Sequence, residues 1–225
     1  MNVEVLEREM YSEAEAARLL GVAQNTLNYW LEGVERRGKI YKPIIRVDPK
    51  GTRAPVTWAE FIEAGWLREY RQSHGVPMAE LRTFIDAVRG RSNIAYPLAH
   101  YQPFVAGREL LRDAQDITGL APEYCLVAEV RGQLVLTPPA ATFFERVDWK
   151  GDVAAAYRPH DDERSPVRID PELRFGKPSV RGVGTEVIWE HDQDGAAVDE
   201  IAEDFSLGID DVRWALAYEF AQRAA

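Results

Sequence analysis

The chain has 225 residues, of which 46% are hydrophobic, and a formal net charge of −10. This length exceeds that of one small domain and predicts two or three compact units. The N-terminus lacks a basic stretch followed by an apolar run, so we expect no signal peptide. No apolar run is long enough to span a membrane, and the lone cysteine, Cys125, fits a reducing compartment. We therefore expect a cytoplasmic protein, and membrane proteins and disulfide-stapled secreted domains are excluded.

The negative charge is distributed unevenly along the chain. Residues 1–94 have a net charge of +1, whereas residues 95–225 have a net charge of −11. Within the first part, residues 34–53 carry seven basic and two acidic side chains; residues 190–211 carry nine acids and neither Lys nor Arg. The first segment could contact phosphate, and the second would repel it.

The N-terminal pattern predicts two short helices around a tight turn. Ser12 and Glu15 form a capping box for the first helix, and Gly21 is suited to end it. A second helix is predicted from after Val22 to about Leu31. Two short helices around a glycine-centred turn are typical of a helix-turn-helix.

Residues 39–57 favour extended structure on both sides of Asp48-Pro49-Lys50-Gly51, which is a strong turn signal. We therefore predict a basic β-hairpin, placed after the second helix as a wing would be. Two more helices are expected at about 57–73 and 77–89. Residues 1–94 are thus interpreted as a winged helix-turn-helix domain.

The second helix begins with side chains suited to reading bases in the major groove. Asn and Gln can form bidentate hydrogen bonds with adenine, and Thr can contact a thymine methyl group. The alternative is an ordinary polar helix face. The residues that we expect to face DNA are Gln24, Asn25, Thr26, Asn28 and Tyr29.

This region resembles the MerR-type DNA-binding domain over about residues 10–90. The motifs that carry the resemblance are Tyr11-Ser12, Ala16-Ala17, Leu20-Gly21-Val22, Thr26-Leu27, Tyr29-Trp30, Gly51-x-Arg53 and Gly75-Val76-Pro77-Met78-Ala79-Glu80-Leu81. The resemblance implies that Arg36, Arg37, Lys50 and Arg53 hold phosphate. MerR-type activators continue into a long dimerisation helix, and here extended structure is predicted instead.

The middle of the chain, residues 95–158, is predicted to be a β-rich domain. Its signals are a hairpin around Arg131-Gly132 and further strands at Gly107–Leu111 and Val147–Arg158. Residues 159–166 are polar and flanked by proline, which predicts a linker. Because a palindromic operator requires a two-fold dimer, we expect a homodimer, with this middle domain as the candidate interface.

The C-terminal part, 167–225, begins with a Gly/Pro-rich stretch and continues into helices predicted at about 186–193, 197–205 and 209–223. The stretch Phe175-Gly176-Lys177-Pro178-Ser179-Val180-Arg181-Gly182, followed by Gly184-Thr185, resembles a small antitoxin-associated domain. The departures are an inserted Val183 and Glu186 in place of the family's arginine. The helices match this domain at Glu200-Ile201, Asp211-Val212 and Ala217-Tyr218.

Together the two resemblances imply a VapB-type antitoxin that inhibits a PIN-like ribonuclease toxin and represses its own operon. The acidic run at 190–211 could cover a basic rim of such a nuclease, or could be an ordinary solvated face. The candidate toxin contacts are Lys177, Arg181, Glu200, Asp204, Asp210 and Asp211. The alternative is a stand-alone MerR-like regulator whose C-terminal part senses a ligand or protein.

Catalysis is the least favoured class of function. The four histidines are far apart, and no nucleophile motif, phosphate loop or zinc-ligand spacing is present. His160-Asp161-Asp162-Glu163 could be drawn as a metal cluster, but a linker lacks the rigid frame that a metal site needs. We therefore expect no enzyme activity, no cofactor and no metal, in a multi-domain α+β protein.

Overall fold

A computed structural model describes residues 3–51, 53–73, 75–131 and 133–224, and confirms the α+β class. The described α-helices are α1 (Glu13–Leu20), α2 (Gln24–Glu32), α3 (Trp58–Arg68), α4 (Met78–Ser92), α5 (Gln102–Val105), α6 (Arg108–Thr118), α7 (Pro138–Arg146), α8 (Thr185–Gln193), α9 (Val198–Asp204) and α10 (Ile209–Ala224). The strands are β1 (Glu9–Tyr11), β2 (Val34–Arg36), β3 (Lys39–Tyr41), β4 (Val56–Thr57), β5 (Val127–Val130), β6 (Gln133–Leu136), β7 (Val147–Lys150), β8 (Val153–Tyr157), β9 (Ser179–Val180) and β10 (Val183–Gly184). They pair two by two, in five small sheets.

The chain divides into two compact units. The first contains residues 1–145 and 149–154, and the second contains residues 146–148 and 155–225. No helix in the described part of the chain is long and apolar enough to cross a membrane.

Helix α3 lies at the centre of the first unit. Thr57 and Glu60 form a capping box at its start, with the Glu60 backbone N–H donating to the Thr57 hydroxyl over 3.3 Å. All of its residues except the last are buried. Trp58, Phe61 and Trp66 provide much of this apolar surface, and the Trp58 and Phe61 rings stack at 5.4 Å. A helix that is buried on all sides serves as a frame on which the surrounding elements pack.

The first two helices agree with the sequence prediction. The Ser12 hydroxyl accepts a hydrogen bond from the Glu15 backbone N–H at 3.2 Å, as a capping residue should. Gly21 adopts φ +62° at the end of α1, and α2 begins three residues later. The left-handed conformation that glycine allows therefore makes the turn between the two helices short.

The predicted hairpin around Asp48–Gly51 is wrong. The observed hairpin pairs β2 with β3 around Arg37-Gly38, whereas β4 pairs with β1. The segment after β3 cannot continue as a wing strand, because Ile44 and Ile45 are fully buried and both donate backbone hydrogen bonds to the Trp30 carbonyl. The apolar run that predicted a strand is instead part of the core.

The middle of the chain contains more helix than predicted. The hairpin around Arg131 is present as β5 and β6, and strands occur at β7 and β8. The strand predicted at Gly107–Leu111 is wrong, because the chain from Arg108 forms α6. Leu111, Ala114 and Gln115 are its buried residues, a spacing of three and four that is typical of a helix packed on one face.

The predicted linker at 159–166 is also wrong, because it belongs to the second unit. The buried Arg146 guanidinium donates to the Arg158 carbonyl at 3.1 Å and pairs with Asp161 at 2.8 Å. Ser165 is buried, and the edge of the His160 ring meets Trp214 at 5.1 Å between ring centroids. The polar residues of segment 159–166 therefore form hydrogen bonds and ion pairs within the second unit, and the segment is not a flexible linker.

The second unit has its own small core beneath β9, β10 and the three C-terminal helices. The helices α8, α9 and α10 confirm the predicted pattern to within a residue or two. The core is formed by apolar side chains of these elements together with Val167, which precedes them; among the others are Val180, Ile188, Ile201, Val212 and Ala215.

Candidate functional site

The N-terminus of α2 presents polar side chains to solvent. Gln24, Asn25 and Thr26 are all exposed, whereas Leu27 and Trp30 on the opposite side of the helix are buried. No side chain caps the start of this helix. The free end of α2 therefore offers three polar side chains together with unsatisfied backbone N–H groups.

The other two residues predicted to face DNA have partners within the protein. The Asn28 side-chain amide donates to both carboxylate oxygens of Glu13, at 3.0 and 3.2 Å. The Tyr29 hydroxyl accepts from the Arg82 guanidinium at 3.0 Å, and this guanidinium also lies 5.9 Å from the Tyr29 ring centroid. These contacts fix α2 to α1 and α4. The sequence analysis did not identify Glu13 and Arg82 as partners, because each contacts a residue that is far away along the chain.

The β2–β3 hairpin follows α2 directly, and Gly33 makes this approach possible. Gly33 has φ +74°, and a side chain there would lie only 2.2 Å from the Tyr41 carbonyl oxygen. Only a residue without a Cβ allows the hairpin to return this close to the end of the helix. The hairpin is thereby held at the C-terminal end of α2, the end opposite Gln24 and Asn25.

This hairpin carries basic side chains that face solvent. Arg36 and Lys39 are directly paired across the two strands, and Arg37 lies at the tip with φ +52°. Among the described residues, Arg36 and Arg37 have no ion-pair or hydrogen-bond partner for their guanidinium groups. The Lys39 ammonium lies 5.2 Å from the centroid of the Tyr41 ring. The hairpin therefore keeps a local positive charge on a chain that is negative overall.

An open cleft of about 500 Å³ separates α2 from the hairpin. Arg36 on the hairpin and Asn25 on α2 both line it, as does Arg71 from the segment that follows α3. The Arg71 guanidinium donates to the Val76 carbonyl at 3.2 Å, which holds its side chain while leaving its charge intact. Sequence reasoning missed Arg71 as a contributor. The remaining lining residues are Thr26, Tyr29, Trp30, Val34, Tyr41 and Met78.

Two basic residues of the predicted phosphate strip are engaged inside the protein. Arg46 is fully buried, with its guanidinium 3.0 Å from Glu60 and in contact with Glu32. The Lys50 ammonium is 3.0 Å from the same Glu60 carboxylate. Lys50, predicted as a phosphate contact, is thus already paired with a carboxylate in this structure. Arg53 is exposed, as a phosphate contact should be.

Ionisation of the buried groups follows from these contacts. Burial opposes the charged form of Glu60, but hydrogen bonds from Arg46, the Thr57 backbone and Lys50 dominate and lower the pKa of its carboxyl. Burial likewise opposes the charge of Arg46, but its two glutamates raise the pKa of its guanidinium. Both groups are therefore charged at neutral pH, and the pair ties residues 46–50 to α3.

Glu63, one turn further along α3, has the opposite balance. Complete burial raises the pKa of its carboxyl to about 7, although Arg89 lies 2.9 Å away and the Leu98 backbone N–H donates to it. Glu63 therefore titrates near neutrality, because desolvation outweighs its ion pair.

In the second unit, three of the residues predicted to contact a toxin lie together. Arg181 at the tip of the β9–β10 hairpin pairs with Asp211 at 2.8 Å, and Asp210 lines the same surface hollow. Asp210 pairs in turn with Arg213 at 3.1 Å. These charges are largely satisfied within the unit, unlike those of Arg36 and Arg37.

The other three residues lie elsewhere on the second unit. Lys177 is 3.7 Å from Glu186, the residue that replaces the family's arginine. The Glu200 carboxylate accepts the Ala197 backbone N–H at 3.0 Å and so caps its own helix. Asp204 is exposed at the end of α9. Of these three, Asp204 is the one whose side chain has no partner among the residues that the structure describes.

The chain is similar to a known protein family and to a known crystal structure. Residues 167–218, which contain the β9–β10 hairpin, α8, α9 and most of α10, match a family described as a protein of unknown function, DUF433. The crystal structure of Rv2018 from Mycobacterium tuberculosis shares the fold, with a TM-score of 0.75 at 24% identity over 94% of this chain and 98% of that one.

Two curated relatives extend over nearly the whole chain. "Uncharacterized protein Rv2308" of M. tuberculosis is 30% identical over 98% of this chain and 94% of its own length. The chain therefore belongs to the same family as that protein. The M. tuberculosis protein named "Putative antitoxin VapB45" is 28% identical, over 92% of each chain, and is a more distant relative.

Proposed function

We propose that this protein is an antitoxin of a type II toxin–antitoxin system. Its first unit binds the DNA of its own operon through a winged helix-turn-helix, and its second unit inhibits a PIN-like ribonuclease. It acts in the cytoplasm as a binding protein rather than an enzyme, and as a homodimer. The distant likeness to VapB45, which carries "antitoxin" in its name, supports the general role.

The DNA-binding proposal depends on one observation. An exposed polar helix end shares a cleft with a hairpin whose arginines have no partner among the described residues. Gln24, Asn25 and Thr26 stand at the free end of α2, and Arg36 and Arg37 stand on the adjacent hairpin. Inserted in the major groove, the helix end would reach base edges while the hairpin arginines meet phosphate. Arg71 adds a further cation to the lining of the cleft.

The second unit favours a protein partner over DNA. Its hairpin arginine is paired with Asp211, and its net charge repels phosphate. An acidic surface suits a partner that must attract RNA and is therefore basic near its active site.

The two activities can be separated by one double substitution. The full-length chain is co-expressed with the nuclease encoded beside it, and both growth and repression of an operon-promoter reporter are measured. Arg36→Ala with Arg37→Ala should abolish repression yet still restore growth, because these arginines lie in the first unit. The control is Arg112→Ala with Arg131→Ala, which also removes two arginines from that unit and should affect neither readout.

Failure of the wild-type chain to restore growth would contradict the antitoxin proposal. Repression that responds to a small ligand, without any nuclease partner, would favour the stand-alone regulator. A truncation at residue 165 is a poor alternative test, because it would separate Tyr157 from Ile169, to which its backbone is hydrogen bonded in both directions at 2.9 Å.

A further inference from the structure

The turn before strand β9 holds an aromatic side chain away from the protein. Phe175 is 90% exposed, the highest value for any large apolar side chain among the described residues. Its neighbour Leu173 is 45% exposed. Phenylalanine is usually buried, and here the ring and Leu173 form an exposed apolar pair on one turn.

The backbone of this turn is unusual. Arg174, Phe175 and Gly176 have φ values of +48°, +56° and +71°, so three successive residues adopt the left-handed conformation. This conformation is unfavourable for residues with a Cβ, and two of these three have one. Such strain persists only where the surrounding structure imposes it, and it is concentrated at functional sites.

The surrounding structure does impose this turn. The Gly176 backbone N–H donates to the Leu173 carbonyl at 2.9 Å, and the Lys177 N–H donates to the Arg174 carbonyl at 3.1 Å. The Arg174 guanidinium lies against Gly184, where an added Cβ would come within 2.8 Å of its Nε atom. Phe175 is therefore presented on a rigid turn, which lowers the entropic cost of binding.

The charges around Phe175 indicate the chemistry of its partner. Arg174 and Lys177 flank the ring in sequence and are both exposed, as is Glu172 three residues before it, which leaves the turn with one net positive charge. Arg174 has no carboxylate partner among the described residues, and Lys177 is only loosely paired with Glu186, at 3.7 Å. A binding pocket for this turn would need an apolar floor and a carboxylate at its rim.

We propose that Phe175 is the anchor by which the DUF433 domain binds its nuclease partner, entering an apolar pocket edged by acidic groups. This inference rests on the proposed antitoxin function and adds a binding residue to it. Phe175 does not belong to the acidic surface of α9 and α10. The pocket that binds it would carry negative charge, opposite to the charge of the turn.

The test measures the affinity of the full-length chain for the purified nuclease encoded beside it. Phe175→Ala should weaken binding at least about 30-fold, as expected for a central aromatic anchor. Phe220→Ala is the matched control, because Phe220 is also exposed, at 66%, but lies on the regular helix α10. The control should change affinity less than about threefold, the range of peripheral contacts.

A second variant separates binding from folding. Phe175→Gly should weaken binding as much as Phe175→Ala without lowering the Tm, because glycine adopts φ +56° without strain. If the wild-type chain binds and Phe175→Ala binds within about threefold of it, the inference alone is overturned. If the wild-type chain binds no nuclease, the antitoxin proposal and the inference both fail. If Phe175→Ala instead changes only the sedimentation mass of the chain alone, the ring serves a second copy and the inference is wrong.

Discussion

Two of the hairpins turn on an Arg-Gly dipeptide of which both residues are described, and they differ in what surrounds it. The β2–β3 hairpin turns at Arg37-Gly38, with φ +52° and +74°, and the β9–β10 hairpin turns at Arg181-Gly182, with φ +50° and +85°. Arg181 is paired with Asp211 at 2.8 Å, whereas the Arg37 guanidinium has no partner among the described residues. The dipeptide specifies the turn, and the neighbouring carboxylates decide whether its charge is available.

The same distinction applies within the first unit. Arg36 and Arg37 are exposed, but Arg46, ten residues further along, is completely buried between Glu32 and Glu60. A count of basic residues from the sequence treats all of them as equal. The following substitutions test whether the role of each arginine depends on its burial and its partners, and not on its charge alone.

The largest expected effect is at Arg46. Arg46→Ala leaves Glu60 buried without its principal partner, so the free energy of unfolding should fall by about 3–5 kcal/mol. Urea unfolding followed by circular dichroism measures this change. Arg164→Ala, which removes an exposed arginine paired with Asp162, is the control and should leave stability almost unchanged. Equal effects of the two would contradict the structural role of Arg46.

The second prediction concerns Glu63 and the pH dependence of stability. Its pKa in the folded state is raised to about 7 from an ordinary 4.5, so the folded state holds the proton more tightly than the unfolded state. This stabilisation is complete below pH 4.5 and is lost as the pH rises through 7. Between pH 5 and pH 8 the contribution should decline by up to about 3 kcal/mol.

Glu63→Gln should flatten this decline, as measured by urea unfolding at the two pH values. Glu60→Gln provides the contrast, because the pKa of Glu60 is lowered and its contribution is lost only as the pH falls below 4.5. An unchanged pH profile in Glu63→Gln would show that Arg89 keeps the Glu63 carboxylate ionised throughout.

The third prediction addresses base reading by α2. Asn25 is exposed and free to reach a base edge, whereas Asn28 is held by Glu13. Asn25→Ala should reduce the preference for operator over scrambled DNA by about 1–3 kcal/mol at constant salt. Anisotropy of both labelled duplexes measures this ratio. Unchanged discrimination, with a normal circular dichroism spectrum, would mean that another face of the helix reads the operator.

The smallest effect is expected at Arg181. Its ion pair with Asp211 is largely exposed on the arginine side, so Arg181→Ala should lower the free energy of unfolding by only about 0.2–1 kcal/mol. Operator affinity should be unchanged. If Arg181→Ala lost as much operator binding as a β2–β3 hairpin variant, the conclusion that only the β2–β3 hairpin has an available charge would be contradicted.

The sequence predicted best what depends on neighbouring residues. Ser12 and Gly21 bound the first helix in both the prediction and the structure, because capping and left-handed φ values are local properties. The three C-terminal helices agree for the same reason. The α+β fold class and the positions of these helices could therefore be predicted from local patterns.

Long-range packing could not be predicted in the same way. Ile44 and Ile45 have strong strand preference, yet hydrogen bonds to Trp30 draw them into the core, and the hairpin forms earlier in the chain. At the candidate site, the pairing of Lys50 with Glu60 and of Tyr29 with Arg82 joins residues 10 and 53 positions apart. No local pattern shows which of these charges is already paired.

The proposal that Arg37 of the β2–β3 hairpin binds DNA can be tested directly. The direct test is a salt titration of operator affinity for Arg37→Ala and Arg131→Ala in the full-length chain. Both arginines are exposed at hairpin tips in the first unit and both have φ +52°, but only Arg37 belongs to the hairpin that follows α2 directly. Arg37→Ala should weaken binding and reduce the slope of log K against log salt by about 1, while Arg131→Ala should match the wild type. Equal slopes for all three proteins would contradict the assignment of this hairpin as the DNA-binding wing.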